Sequence, residues 1–215
     1  MLYRTFLAVA LLVGFAAQTN AEMVVIGATD VGSYFDFSGG GGGYSANEST
    51  VGNWSGLAFE HRNFAIFDLS GVTDTIISAK LRTNSGPDVL RISDVVVDFR
   101  SYSGSIAALT AGTAGFSDLA SGGAYGAVSL PSAFPDDAVV DVVLNTAAIS
   151  DLDGSTGLFA IAGSQTVPTL TSGVFAGVGR DKVSLILEVK RVPEPTSFAL
   201  FSLALVGMAH RRRQR

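Results

Sequence analysis

Asn63-Phe64-Ala65-Ile66-Phe67-Asp68-Leu69 is apolar at successive positions, so an extended chain through it presents hydrophobic side chains to both faces. Seven residues are too few for a typical buried helix. The run ends at Ser70-Gly71-Val72-Thr73, a turn signal. We read it as a strand buried on both sides, the pattern of a sandwich interior. Immediately after the turn, Ile77, Ala79 and Leu81 alternate with Ser78, Lys80 and Arg82. A period of two marks a half-exposed strand with its charges facing water.

The same alternation recurs along the chain. Val95, Val97 and Phe99 alternate with Asp94, Val96 and Asp98, and Val183, Leu185, Leu187 and Val189 with Ser184, Glu188 and Lys190. Met23–Ile26, Val31–Phe37, Val139–Leu144 and Leu158–Ala162 read as further strands. Ile106–Leu109 and Ala114–Leu119 are weaker elements, and Thr146–Leu152 reads as a short helical turn before Asp153-Gly154. No long helical period is present. Eight to ten short strands with frequent glycine turns predict an all-β antiparallel β-sandwich, jelly-roll-like in plan. Gly39–Gly43, five successive glycines, lacks the Lys-Ser/Thr pair of a phosphate loop and is expected to be a flexible exposed loop.

Both ends differ from this body. Arg4, the uncharged run Phe6–Ala17 and Thr19-Asn20-Ala21 form the three regions of a signal peptide over 1–21, with cleavage expected between Ala21 and Glu22. The domain is expected over 22–191. At the other end Pro193-Glu194-Pro195 interrupts any strand or helix. No charge occurs from Thr196 to Ala209, and Arg211, Arg212, Arg213 and Arg215 follow. Those fourteen uncharged residues reach about 21 Å as a helix, short of a hydrocarbon core of about 30 Å. Terminal arginines hold such a segment with its end in the cytoplasm, and their stems snorkel to lengthen it. Residues 192–215 are therefore expected to form a single short transmembrane helix. A plain tail anchor would have no need of the Pro-Glu-Pro hinge.

Pro193-Glu194-Pro195, the apolar run Ser197–Ala209 and the basic end Arg211–Arg215 together resemble the PEP-CTERM sorting signal. The resemblance implies an exosortase substrate, tethered to the membrane through its tail and then released to the cell surface or extracellular matrix. Exosortase, the Sec translocon and, transiently, the membrane are the implied partners. The same tail type is carried by some ice-binding proteins, but no T-x-T ladder for ice appears here. The stretch Arg62–Val72 with Ile77–Arg82, joined by Leu144-Asn145-Thr146 to Phe159-Ala160-Ile161, looks like a β-sandwich module of PEP-CTERM proteins. It is also similar to DNRLRE-type domains, which share a jelly-roll plan with carbohydrate-binding modules.

Composition narrows the chemistry. With no cysteine, thiol nucleophiles, thiolate metal sites and disulfides are excluded. Residues 22–192 hold nine basic and eighteen acidic side chains, a net charge of −9. Such a body repels phosphate backbones, and no nucleic-acid partner is expected. His61 is the single histidine of the body, beside Glu60 but on the opposite face of a strand, and reads as a surface residue. No G-x-S-x-G elbow occurs, and no acid pair carries the context of a hydrolase. We expect no catalytic residues and no enzyme.

Asp151-Leu152-Asp153-Gly154-Ser155 places its glycine too early for a calcium loop, and Ala162 stands where the twelfth-position glutamate belongs. It reads as a turn. Jelly-roll modules leave room for a structural calcium, but no ligand set is visible and no cofactor is expected. For an extracellular polysaccharide, stacking aromatics matter. Trp54 and Tyr44 are the candidates, with Arg62 and Asn63 as polar partners or, alternatively, as ligands of loop backbone.

Overall fold

The computed structural model describes residues 21–37, 42–54, 59–86, 94–166 and 172–191. The predicted signal-peptide core, the first glycines of the Gly39–Gly43 run and the tail from Val192 lie outside them. Residues 23–189 cluster as one compact unit.

Eleven strands are described: β1 Ala21–Phe37, β2 Gly42–Ala46, β3 Ser49–Trp54, β4 Phe59–Asp68, β5 Thr75–Asn84, β6 Val95–Ser101, β7 Ala124–Leu130, β8 Val139–Val143, β9 Leu158–Gln165, β10 Ser172–Val178 and β11 Ser184–Lys190. Two short helices interrupt them, α1 Ile106–Thr110 and α2 Thr146–Asp153, the second close to the predicted helical turn. The hydrogen-bonded order is β7-β6-β9-β4-β1-β11-β5-β8, with β2 added to β1 and β3 joining β4 to β10. The pairings of β1 with β2 and β4, of β3 with β4 and β10, of β4 with β9, of β5 with β8 and of β6 with β7 and β9 are all antiparallel.

The all-β reading holds, but the strands make one nearly closed, barrel-like sheet where two separate sheets were expected. The physical cause is β1. The predicted strands at Met23–Ile26 and Val31–Phe37 are one 17-residue strand. It lies between β4 and β11, and a register shift between Ala28 and Asp30 bends it. One strand thus belongs to both halves of the sheet. The two ends of the order meet where the Asn145 N–H donates to the Tyr125 carbonyl (2.7 Å) and its side-chain amide to Ala124 (2.7 Å). Asn145 also caps α2, accepting from the Ala148 N–H at 3.0 Å, so one side chain starts the helix and helps to close the sheet.

The interior is filled from every side. Ala65 and Phe67 of β4 meet Leu81, Val97, Phe99, Val142, Ile161, Leu185 and Leu187. Strand β4 is apolar on its other face too, as its sequence requires, but not because that face meets a second sheet. Phe64 and Ile66 point outward into a smaller core with Tyr34, Leu109, Leu119, Ala160 and Ala162. The segment 105–120, which contains α1 and a 3-10 turn at Phe116–Ala120, supplies the cover. This segment was legible only as two weak elements.

The outer layer depends on close approach at Gly32. Gly32 stands opposite Phe64 on β1, and a Cβ there would fall 2.7 Å from the Phe64 ring and 3.0 Å from the Ser45 carbonyl. The last two glycines of the predicted loop, Gly42 and Gly43, are in β2, paired with Asp36 and Phe35. The Phe35 ring lies over Gly43 and occupies the space of a side chain.

Substituting Gly32→Ala should destabilise the protein by about 1–3 kcal/mol through overpacking against a ring that cannot leave the outer core. Thermal or denaturant unfolding measures the loss, and an unchanged midpoint would contradict this packing.

Candidate functional site

The residues expected to gather at a ligand site divide between the two faces of the sheet. Arg62 and Tyr34 are directly opposed on β4 and β1, as are Tyr34 and Tyr44 on β1 and β2, so all three lie on the outer face. Asn63 lies on the inner face with Ser33 and Gly163. Alternation along β4 forces this separation. Trp54 ends β3 with its backbone opposite Phe59, and its side chain is outside the described structure.

On the outer face, each group is committed to the cover. The Tyr34 hydroxyl donates to the Leu109 carbonyl (2.8 Å) and accepts from the Ala114 N–H (3.3 Å), bridging both ends of the loop after α1. Burial raises its pKa. Tyr44 lies 5.0 Å from the Tyr34 ring and stacks at 9° on Phe64. Its ring also presses on Gly112, where the chain turns with φ +73° after α1, a position that favours glycine. Arg62 donates from Nε to Glu60 (2.8 Å) and from a terminal nitrogen to the Phe116 carbonyl (3.1 Å). Its guanidinium carbon sits 4.0 Å over the Phe116 ring. Of the two sequence readings for Arg62, service to loop backbone is the one its contacts support.

His61, read as a surface residue, is half-buried. It faces inward beside Phe35, with ring centroids 5.3 Å apart, because the pairing of β1 and β4 turns both side chains to the inner face. Its Nδ1 is buried without a hydrogen-bond partner, and burial pushes the imidazole below its ordinary 6.5. Asp151 accepts from the Tyr125 hydroxyl (2.7 Å), and burial first, then Asp151, raises the Tyr125 pKa strongly. Asp153 accepts from the Ile76 N–H (2.7 Å). Both residues belong to the last turn of α2, and their carboxylates tie it to neighbouring strands rather than forming the turn read from Asp151–Ser155, in which Gly154 caps the helix. Among the described residues no three His, Cys, Asp or Glu side chains gather as a metal cluster.

One open concavity was not legible as a site. An open cleft of about 430 Å³ lies between the β4–β5 turn and the end of α2, lined by Ser70, Thr73, Asp74, Asp153, Ser155 and Thr156 among others. Its residues had signalled only turns, because Ser, Thr, Asp and Gly serve turns and polar clefts alike. No aromatic side chain lines it. On the sheet surface, Arg82 holds Asp141 bidentately at 2.7 and 2.9 Å, which depresses the Asp141 pKa and is joined by Lys80 at 3.4 Å.

Two outcomes follow from these contacts. Tyr34→Phe should cost about 1–2 kcal/mol, because the Leu109 carbonyl loses its donor. Amide exchange should quicken in 105–120 before it does in β4 or β9, and uniform exchange would refute the pinning role. For His61, the folded pKa lies below the unfolded one, so its contribution to stability is complete above about 6.5 and is lost as pH falls toward the folded pKa. Unfolding midpoints should therefore decline below pH 6.5, and His61→Gln should flatten that decline. An equally steep decline in the variant would remove His61 as its source.

Ala21 and Glu22, the predicted signal cleavage pair, open β1. Pro193, Glu194, Pro195, Arg211, Arg212 and Arg213 lie outside the described residues, as does the predicted sorting helix. Among the described residues no helix is long and apolar enough to cross a membrane.

Comparison with known proteins gives one decisive match. No curated protein matches the chain. Among solved structures, it is similar to an FMN-binding beta-glucuronidase from Facaelibacterium prausnitzii L2-6 at 13% identity and a TM-score of 0.30, covering 78% of this chain and 23% of that one. The chain thus spans about a quarter of the length of that protein. It is similar to CtCBM11, known from a solution structure, at 9% identity and a TM-score of 0.27, covering 83% and 92%. Residues 191–214 match the family model of the PEP-CTERM protein-sorting motif, which implies export and sorting by an exosortase to the surface or exterior. The chain thus carries, immediately after β11, a segment that matches the PEP-CTERM protein-sorting motif.

Proposed function

We propose that this protein is a non-catalytic component of the cell surface or extracellular polymer matrix. It is exported through the Sec translocon, tethered for a time by its C-terminal tail and processed by an exosortase. The observation that carries the reading is the sorting motif at 191–214, set directly behind the last strand of the body. A folded domain that ends on a strand and passes at once into the motif can be displayed without a further linker.

Two features of the body support the non-catalytic part. Arg62, weighed from sequence as a polar ligand partner, is engaged with loop backbone, and the carboxylates Asp151 and Asp153, read as turn residues, bond to Tyr125 and to the Ile76 N–H. The depressed acid Asp141 is held by exposed Arg82 on the sheet surface, outside the cleft. In this reading the body is a jelly-roll-type module whose strand β1 joins its two halves.

The test is intact-mass analysis of the protein recovered from the surface or medium of its native host. A product that starts at Glu22 and lacks the arginine end is expected. Replacing Pro193, Glu194 and Pro195 together by alanine should leave the unprocessed chain in the membrane fraction. Recovery of exported protein still ending at Arg215 would overturn the proposal.

A further inference from the structure

The inner core is not uniformly apolar. Ser33, Ser49, Asn63 and Thr83 are buried polar residues, with exposures of 1%, 3%, 6% and 3%. An internal void of about 10 Å³ is lined on one side by Ser49, Asn63 and Thr83, and on the other by Ala65, Leu81, Phe99, Ile161 and Val183. That volume admits a single water and excludes a sugar ring or any larger ligand.

The hydrogen-bond inventory around it is incomplete. The Asn63 amide nitrogen donates to the Ser49 hydroxyl. The Thr83 hydroxyl makes only a long contact, 3.4 Å, to the carbonyl of the next residue. Ser33, directly opposite Asn63 across the β1–β4 pair, does not line the void. A void lined only by hydrocarbon stays dry, whereas one with polar partners on a wall binds water.

We propose that this void is a hydration site, in which one water bridges Asn63 and Thr83. The water completes the bonding of the Thr83 hydroxyl and fixes the Asn63 amide over Gly163, whose missing Cβ leaves room for the Asn63 oxygen. The site belongs to the scaffold and does not depend on the sorting function.

Two measurements on the exported protein test it. A high-resolution crystal structure should show one ordered water at roughly 2.7–3.2 Å from polar atoms of both Asn63 and Thr83. A dry void, or a Thr83 hydroxyl bonded directly to another protein group, overturns the proposal. In solution, water-to-protein cross-relaxation should show a long-lived water beside the Asn63 side-chain amide. The isosteric Thr83→Val should reduce that signal to the background of surface hydration, and a signal unchanged by the substitution overturns the assignment. Should the variant not fold, the wild-type crystal structure decides the matter alone.

Discussion

Strand β4 must bury two faces, and much of the architecture is arranged around that requirement. Phe67 and Ala65 face the inner core, and Phe64 and Ile66 face out. A sheet surface carrying an exposed Phe-Ile pair would be an adhesive patch. The chain covers it with 105–120, a segment too short and too rich in small residues to hold itself in place. Tyr34 supplies the attachment, with its ring in the outer core and its hydroxyl on the backbone at both Leu109 and Ala114. Gly32 permits the Phe64 ring to lie close to β1, and Tyr44 stacks on that ring.

The elements legible in the sequence are those whose signal is local. The alternation in Ile77–Arg82, Val95–Phe99 and Val183–Val189 gave β5, β6 and β11 because one face of each meets the core and the other meets water. The helical turn at Thr146–Leu152 was legible ahead of Asp153-Gly154, and the structure shows Asn145 as its cap. What could not be read was set by partners distant in sequence. The unity of β1 depends on β4 and β11 pairing with successive parts of it. The strand identity of Gly42 and Gly43 depends on the Phe35 ring. The double burial of β4 was read correctly, but its cause was a helical cover rather than a facing sheet. Periodicity reports that a face is buried and not what buries it.

The same distinction separates the tail from the candidate site. A sorting signal is recognised as a linear stretch, so proline spacing, an apolar run and terminal charge suffice to find it. A ligand site is a product of folding. Arg62 and Asn63 are neighbours in sequence, yet the strand sends one to the outer cover and the other to the inner core. The open cleft at Asp74 and Asp153 joins residues about eighty positions apart that individually look like turns.

Closure of the sheet bears directly on life outside the cell. The chain has no cysteine, so an exported body must resist unfolding and strand exchange without cross-links. Free sheet edges are the usual route to unwanted pairing. Here the terminal strands β7 and β8 are drawn together by the backbone and amide of Asn145, and the cap of α2 holds that same residue in place. Strand β8 still exposes Val139 and Val143 on its outer face. Between them Asp141 is clamped by Arg82 and Lys80, setting a charged cluster in the middle of an otherwise apolar row. Edge pairing by another chain would have to displace the Asn145 closure and desolvate that cluster. At the β7–β8 seam, sheet geometry therefore guards an edge without a disulfide, whereas β2 and β10 are each paired on one side, to β1 and β3.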